Sequence, residues 1–188
     1  MMNLNRKMKH VFAGLIITAF AIGFLACGDD NSLEELRKNE LAKLDVYMQA
    51  NYPDVKPKSS GLYYIEEVKG TGDSIVPGDK VQIFYSAYNL ESDLVDETNG
   101  FSDGYLFEPI QFTVVPASQL NVESANYISE TPGLHEALTY MQLNSIATLI
   151  LDSGLAFGQD GTIYTEKLIP GFTSIIIKVR VYKVNPAN

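Results

Sequence analysis

From Gly61 onward apolar residues recur at every second position, and that period limits the fold class before any other feature does. In Val81-Gln82-Ile83-Phe84-Tyr85-Ser86-Ala87-Tyr88, the residues Val81, Ile83, Tyr85 and Ala87 share one strand face, so Tyr85 is expected to point inward. The last run repeats the pattern: Ile175, Ile177, Val179 and Val181 alternate with Ser174, Lys178, Arg180 and Tyr182. Leu62 to Val68, Gln111 to Val115 and Ile146 to Asp152 are further strand candidates, with turns at Lys69-Gly70-Thr71-Gly72 and Pro77-Gly78-Asp79. One helical period interrupts them, Gly133 to Met141, where Leu134, Ala137, Leu138 and Met141 fall at i, i+3, i+4 and i+7. About five strands and one short helix, without strand–helix alternation, predict an α+β fold in which a curved antiparallel sheet lays its apolar face on that helix.

With 188 residues, 46% of them apolar, the chain can bury one main core. Charge then narrows the chemistry. There are 14 Lys and Arg against 23 Asp and Glu, and Arg6, Lys7 and Lys9 precede the first long apolar run. The 86 residues between Lys80 and Lys167 hold twelve Asp or Glu and no Lys or Arg, which argues against a nucleic-acid partner and against clamping an anionic substrate. A single cysteine allows no internal disulfide or cysteine zinc cluster, and His135 is the one histidine beyond the apolar run. The acidic stretch with Asp93, Asp96, Glu97 and Asp103 lacks EF-hand spacing. No metal and no cofactor is implied. His135, in the first turn of the short helix beside Glu136, reads as a solvated surface residue.

Residues 1–26 read as an export signal: basic Asn5-Arg6-Lys7-Met8-Lys9, an apolar run from Val11 to Ala26, then Cys27. At 16 residues the run is short for a membrane span, which takes about 20 apolar residues. An uncleaved anchor and a cut after Ala19-Phe20-Ala21 are the alternatives to a third reading: Phe24-Leu25-Ala26-Cys27 resembles the lipobox of bacterial lipoproteins, with Cys27 as the lipidated first residue. A lone thiol closing an apolar run is better explained by lipid attachment than by chance in an oxidising compartment. Gly28-Asp29-Asp30 resembles the surface-export signal of Bacteroidetes-like lipoproteins, or is simply a solvated start. The expected location is the bacterial cell envelope, as an outer-membrane lipoprotein facing the periplasm or the surface, held to the membrane through that lipid.

Residues 27–60 are expected to form an N-terminal helix and a linker. Ser32-Leu33-Glu34-Glu35 is a capping box, so the helix is predicted to start there. Leu33, Leu36, Leu41, Leu44, Tyr47 and Met48 give it an apolar face that should lie on its own domain, and Asp54 to Ser60 reads as a polar linker.

From Gly61 to Val184 the order of motifs resembles the FKBP-type peptidyl-prolyl cis-trans isomerases. Gly61-Leu-Tyr-Tyr-Ile with Gly70-Thr-Gly is similar to their opening strand and turn, and Pro77-Gly-Asp-Lys-Val-Gln-Ile-Phe-Tyr-Ser to the strand that carries the pocket tyrosine, here Tyr85. Asp96 stands where the family has its phenylalanine-aspartate pair, Pro132-Gly133-Leu134 where it has proline-glycine-tryptophan, Leu155-Ala156-Phe157-Gly158 where it has alanine-tyrosine-glycine, and Ile169-Pro170-Gly171 where it has isoleucine-proline-proline. The resemblance implies an FKBP-like domain over 61–188 and a substrate-binding set of Tyr85, Val95, Asp96, Ile110, Thr131, Leu134, Phe157, Ile169 and Ile177.

Departures fall in that set. Leu134 replaces the tryptophan, Val95 the phenylalanine and Phe157 the tyrosine; Ile110 and Ile177 stand at positions that are commonly phenylalanine, and Glu130-Thr131 replaces a valine-isoleucine pair. On residue type alone Leu134, Ile110, Ile177 and Val95 are ordinary core fillers. Asn99 to Glu108 and Pro116 to Thr131 run longer than the family's connections. The resemblance implies a prolyl isomerase or folding helper acting on proline-containing peptides or unfolded envelope proteins, with Tyr85 and a backbone N–H near Thr131 as carbonyl donors. The alternatives are an FKBP-fold binding module without efficient catalysis and a structural envelope lipoprotein. Tyr85 and Asp96 are expected to be hydrogen-bonded, and Leu134→Trp with Phe157→Tyr to raise activity if the cleft is open.

Overall fold

The computed structural model describes residues 29–187. The expected export signal and Cys27 lie outside the described residues. The chain divides into two compact units after Leu36; the second, from Arg37 on, carries the sheet and everything that follows.

Among the described residues six strands form one antiparallel sheet: β1 (Tyr63–Val68), β2 (Lys80–Asn89), β3 (Leu94–Glu97), β4 (Ile110–Thr113), β5 (Ile146–Leu151) and β6 (Ile175–Asn185). The order is β1-β5-β6-β2-β3, with β4 also on β2. The long runs read from alternation are all present, and β3 is the addition, a four-residue strand too short and too acidic to show a period. The free edge of β2 is shared: Lys80 to Ile83 face β4, while Ser86 to Tyr88 face β3. Tyr85 sits at that changeover. Its N–H donates to Thr98 Oγ1 at 3.0 Å and its carbonyl accepts from Thr98 N at 2.9 Å, so a buried threonine satisfies the backbone that neither strand reaches.

The inner face of the sheet is Val81, Ile83, Tyr85 and Ala87 from β2, Ala147, Leu149 and Leu151 from β5, and Ile175, Ile177, Val179 and Val181 from β6. Leu134, Ala137, Leu138 and Met141 join the same cluster, the first three from the short helix α2 (Pro132–Leu138) and Met141 just beyond it. Gly133 lets α2 come this close, because a Cβ there would lie 2.5 Å from Leu151 Cδ2 and 3.0 Å from the Leu155 carbonyl.

The outer face is covered by the part of the first helix, α1 (Asp29–Asn51), that follows Arg37, whose Leu44 and Met48 pack with Ile150 and Ile176. The helix starts three residues before the expected Ser32, which therefore sits inside it; once a helix is nucleated, each added residue brings a hydrogen bond at little further cost. From Arg37 on the expected apolar face is used in part, since Leu41 is exposed. Leu44 and Met48 of that face are buried as expected, and Glu40 extends their stripe at i, i+4 and i+8. Nor is the segment after α1 a free linker: Val55 packs on the outer cluster, and Lys58 Nζ lies 4.5 Å from the Tyr140 ring centre.

Candidate functional site

Strand parity and the β2–β3 turn bring Tyr85 and Asp96 together. The Tyr85 hydroxyl donates to Asp96 Oδ2 at 2.6 Å. Burial, with the Asp96 carboxylate as acceptor beside it, holds the Tyr85 hydroxyl well above the usual phenol range. Burial also pushes the Asp96 carboxyl up, opposed by the Tyr85 hydrogen bond. The loop between Thr162 and Ile169 closes on the same strand: Glu166 N donates to Asp96 Oδ1 at 3.3 Å and Lys167 N to the Val95 carbonyl at 3.0 Å. That loop is pinched at its base, where Thr162 and Ile169 exchange two backbone hydrogen bonds of 2.9 Å.

Val95, Leu134, Phe157, Ile169 and Ile177 belong with Tyr85 to one apolar cluster, and Ile110 packs against it half-buried. These positions are part of the domain's main buried core, and water is almost excluded from them: Leu134 and Ile177 are 0% exposed and Phe157 2%. Thr131 is fully buried as well, and it is not available as a donor. Its N–H and its hydroxyl both donate to the Ile128 carbonyl, at 3.2 and 2.8 Å, and Glu130 N–H donates to the Tyr127 carbonyl at 2.9 Å. The expected backbone donor near Thr131 is thus already spent in a 3-10 turn, Ile128–Glu130. The carboxylates nearby are also engaged, Asp93 by Asn89 and Glu97 by Ser102 N.

His135 corrects a second expectation. It is 3% exposed, not solvated. Its Nδ1 accepts from Val115 N–H at 3.1 Å, so Nε2 carries the proton and donates to the Ser129 carbonyl at 2.8 Å. Burial lowers its pKa. The helix face opposite Leu134 is covered by the long segment before α2, and a sequence without that segment's path gives no hint of it. Ile128 is the other residue that sequence reasoning missed. It comes from the longer connection, is fully buried, and lies in the same cluster as Leu134 and Phe157.

Tyr85→Phe is expected to destabilise the protein by about 1–3 kcal/mol, because it leaves a half-buried carboxylate without its hydroxyl donor. With the donor gone, the burial that raises the Asp96 carboxyl is less opposed, so Asp96 should titrate at a higher pH than in the parent chain. Urea denaturation and a carboxyl-detected NMR titration read the two effects. An unchanged Asp96 titration would show that the hydroxyl does not hold the carboxylate in solution.

No family model matches the sequence, and no curated protein does. Solved structures do match. The crystal structure of a peptidyl-prolyl cis-trans isomerase from Pseudomonas syringae pv. tomato superposes with a TM-score of 0.59 at 22% identity, over 81% of this chain and 96% of its own. FkpA from Escherichia coli superposes with a TM-score of 0.60 at 20% identity, over 98% of this chain and 73% of its own. The three FKBP domains of wheat FKBP73 give 0.51 at 16% identity, over 67% of this chain and 45% of theirs. Its antiparallel sheet curled over one short helix superposes on all three: the chain has the fold of the FKBP-type peptidyl-prolyl isomerases.

Proposed function

We propose that the chain is a prolyl isomerase or folding helper of the bacterial envelope, held to the membrane by a lipid on Cys27 and acting on proline-containing segments of unfolded proteins. The observation that carries the catalytic part is the Tyr85–Asp96 bond at the edge of an apolar cluster, on a fold shared with isomerases. Rotation about an X–Pro bond breaks no covalent bond. Its barrier of about 18–20 kcal/mol comes from amide resonance, which an apolar surround weakens by disfavouring the charge-separated planar form. Binding the twisted amide better than either planar form is sufficient for catalysis. Tyr85 supplies a fixed hydroxyl, Asp96 fixes its direction, and the aliphatic side chains exclude water. The anchor rests on the sequence alone, and mass spectrometry of the mature protein tests it: an intact residue 1, or a chain beginning at Ile22 with a free thiol, would remove it.

A second reading, a binding module with weak or no catalysis, is favoured by one observation. The donors at Glu130 and Thr131 are spent and the cluster is closed to water. A protease-coupled assay of proline isomerisation in a short peptide separates the two. Exchange faster than the uncatalysed rate supports the isomerase; the uncatalysed rate with measurable peptide binding supports the module.

The closed cluster also reverses the expectation for aromatic restoration. Leu134→Trp places an indole where no solvent-filled space surrounds the leucine, and is expected to cost about 1–3 kcal/mol by overpacking, with no gain in turnover. A stable variant with faster turnover would mean that the cluster opens readily enough to admit a ring.

A further inference from the structure

The segment Pro116–Thr131 leaves the sheet after β4 and returns at α2, and it crosses the candidate cluster on the way. Two of its apolar side chains turn inward, Ala125 and fully buried Ile128, while Asn126 and Tyr127 between them are exposed. Its middle is attached to the opposite loop: Thr162 Oγ1 donates to the Asn126 carbonyl at 2.9 Å, and the Tyr127 and Tyr164 rings meet at 5.8 Å. Its two ends are attached to one side chain. The residue before it, Val115, and the residue near its close, Ser129, both bond to the His135 ring, which is backed by Phe112 at 5.1 Å.

We propose that His135 is a pH-operated clasp on this strap: neutral, it holds Ile128 seated in the apolar cluster, and protonated, it releases the strap and uncovers the cluster. The reason is the geometry of the two bonds. Only the tautomer with its proton on Nε2 can accept from Val115 and donate to Ser129 at once. A proton on Nδ1 turns the acceptor into a donor facing the Val115 N–H, so that bond must break. No nearby charge offsets this. Of the elements against the ring, β4 and β5 carry no titratable group, and neither does the Ala117–Gln119 turn. The 3-10 turn before α2 carries Glu130, whose Oε2 accepts from Asn126 N, and α2 itself carries Glu136, whose Oε1 accepts from Ser60 and Tyr140. The clasp is independent of whether the cluster catalyses anything.

The sign follows from linkage. Burial lowers the His135 pKa in the clasped state, while an open strap returns it towards the ordinary value near 6.5. The open state therefore binds more protons below that value, and clasping weakens as pH falls from about 6.5 downward. Between pH 7.5 and pH 5.0 the opening constant should rise by up to about 30-fold, the full protonation factor of a histidine released to its ordinary pKa.

Hydrogen exchange read by mass spectrometry on the full chain, corrected for intrinsic rates, tests this. The expected result is faster exchange in peptides covering 116–131 at pH 5.0 than at 7.5, with β5 and β6 unchanged. His135→Gln, which does not titrate, should abolish the dependence. Should that variant not fold, NMR titration of the wild type decides: the Val115 amide must shift with the His135 ring, at a midpoint below 6.5. Equal protection of the strap at both pH values, a parallel loss in β5 and β6, a Val115 amide that ignores the ring, or pH dependence retained in His135→Gln would each overturn the proposal.

Discussion

Replacing Glu40 with Ala is expected to destabilise the protein by about 3–5 kcal/mol, the range for removing one partner from a buried charged network. The carboxylate accepts four hydrogen bonds. Oε1 takes Ser153 N–H at 2.6 Å and Ser174 Oγ at 2.9 Å; Oε2 takes Ser153 Oγ at 2.7 Å and Arg37 Nη1 at 2.6 Å. Ser153 and Ser174 are buried, so an alanine takes the acceptor from a backbone N–H and two hydroxyls and leaves Arg37 with Asp152 as its remaining carboxylate. Leu44 and Met48 follow Glu40 on the same helical stripe, so the loss should also loosen the outer apolar layer on Ile150 and Ile176. Urea denaturation with an unchanged slope reads the stability, and amide exchange in residues 41–51 reads the docking. A loss under about 1 kcal/mol would show that helix α1 does not depend on this carboxylate for its place, since even one orphaned buried donor costs that much.

This buried glutamate also explains where sequence reading stops. Strand β2, strand β6 and helix α2 were legible because a period of 2 or 3.6 places every apolar residue on one face, and the cluster contains those faces as expected. Helix α1 docks Leu44 and Met48 from its expected apolar face, yet beside them it is anchored by Glu40 and its serine partners, which come from residues 153 and 174. No local pattern announces a polar anchor that far away. The Tyr85–Asp96 pair was legible because parity turned the tyrosine inward and a short excursion returned the aspartate beside it. The spent donors at Glu130 and Thr131 were not, since a 3-10 turn claims backbone N–H groups without changing any side chain. Ile128 and His135 were hidden for a related reason: the strap between β4 and α2 has two inward apolar residues in a polar stretch, too few to make a period. What sequence resemblance carried over was the scaffold and its named positions; what it could not carry was whether the space between them is open.

Gly171→Ala is expected to cost more than about 3 kcal/mol, at the upper end of overpacking, because the chain crosses itself at this residue. A Cβ on Gly171 would lie 1.7 Å from the Gln159 carbonyl oxygen, and one on Gly161 2.1 Å from that of Ile169. These are backbone atoms, which cannot turn away as a flexible side chain can. The crossing is held by the paired bonds between Thr162 and Ile169, so relief requires parting them. A Gly→Ala change ordinarily gains about 0.4–1 kcal/mol by restricting the unfolded chain, too little to offset such a clash. The consequence reaches the candidate site, because Ile169 belongs to the apolar cluster and the loop beyond Thr162 supplies Glu166 N to Asp96 and Lys167 N to Val95. The resemblance puts a second proline at this position, and Gly171→Pro would carry the same Cβ into the same carbonyl. The loop base of this chain is therefore built around the glycine, and the family residue is not interchangeable with it. Urea denaturation and the amide resonances of Thr162 and Ile169 measure the effect. A Gly171→Ala protein of parental stability, with both amides unshifted, would show that the two segments stand further apart in solution than the crossing requires.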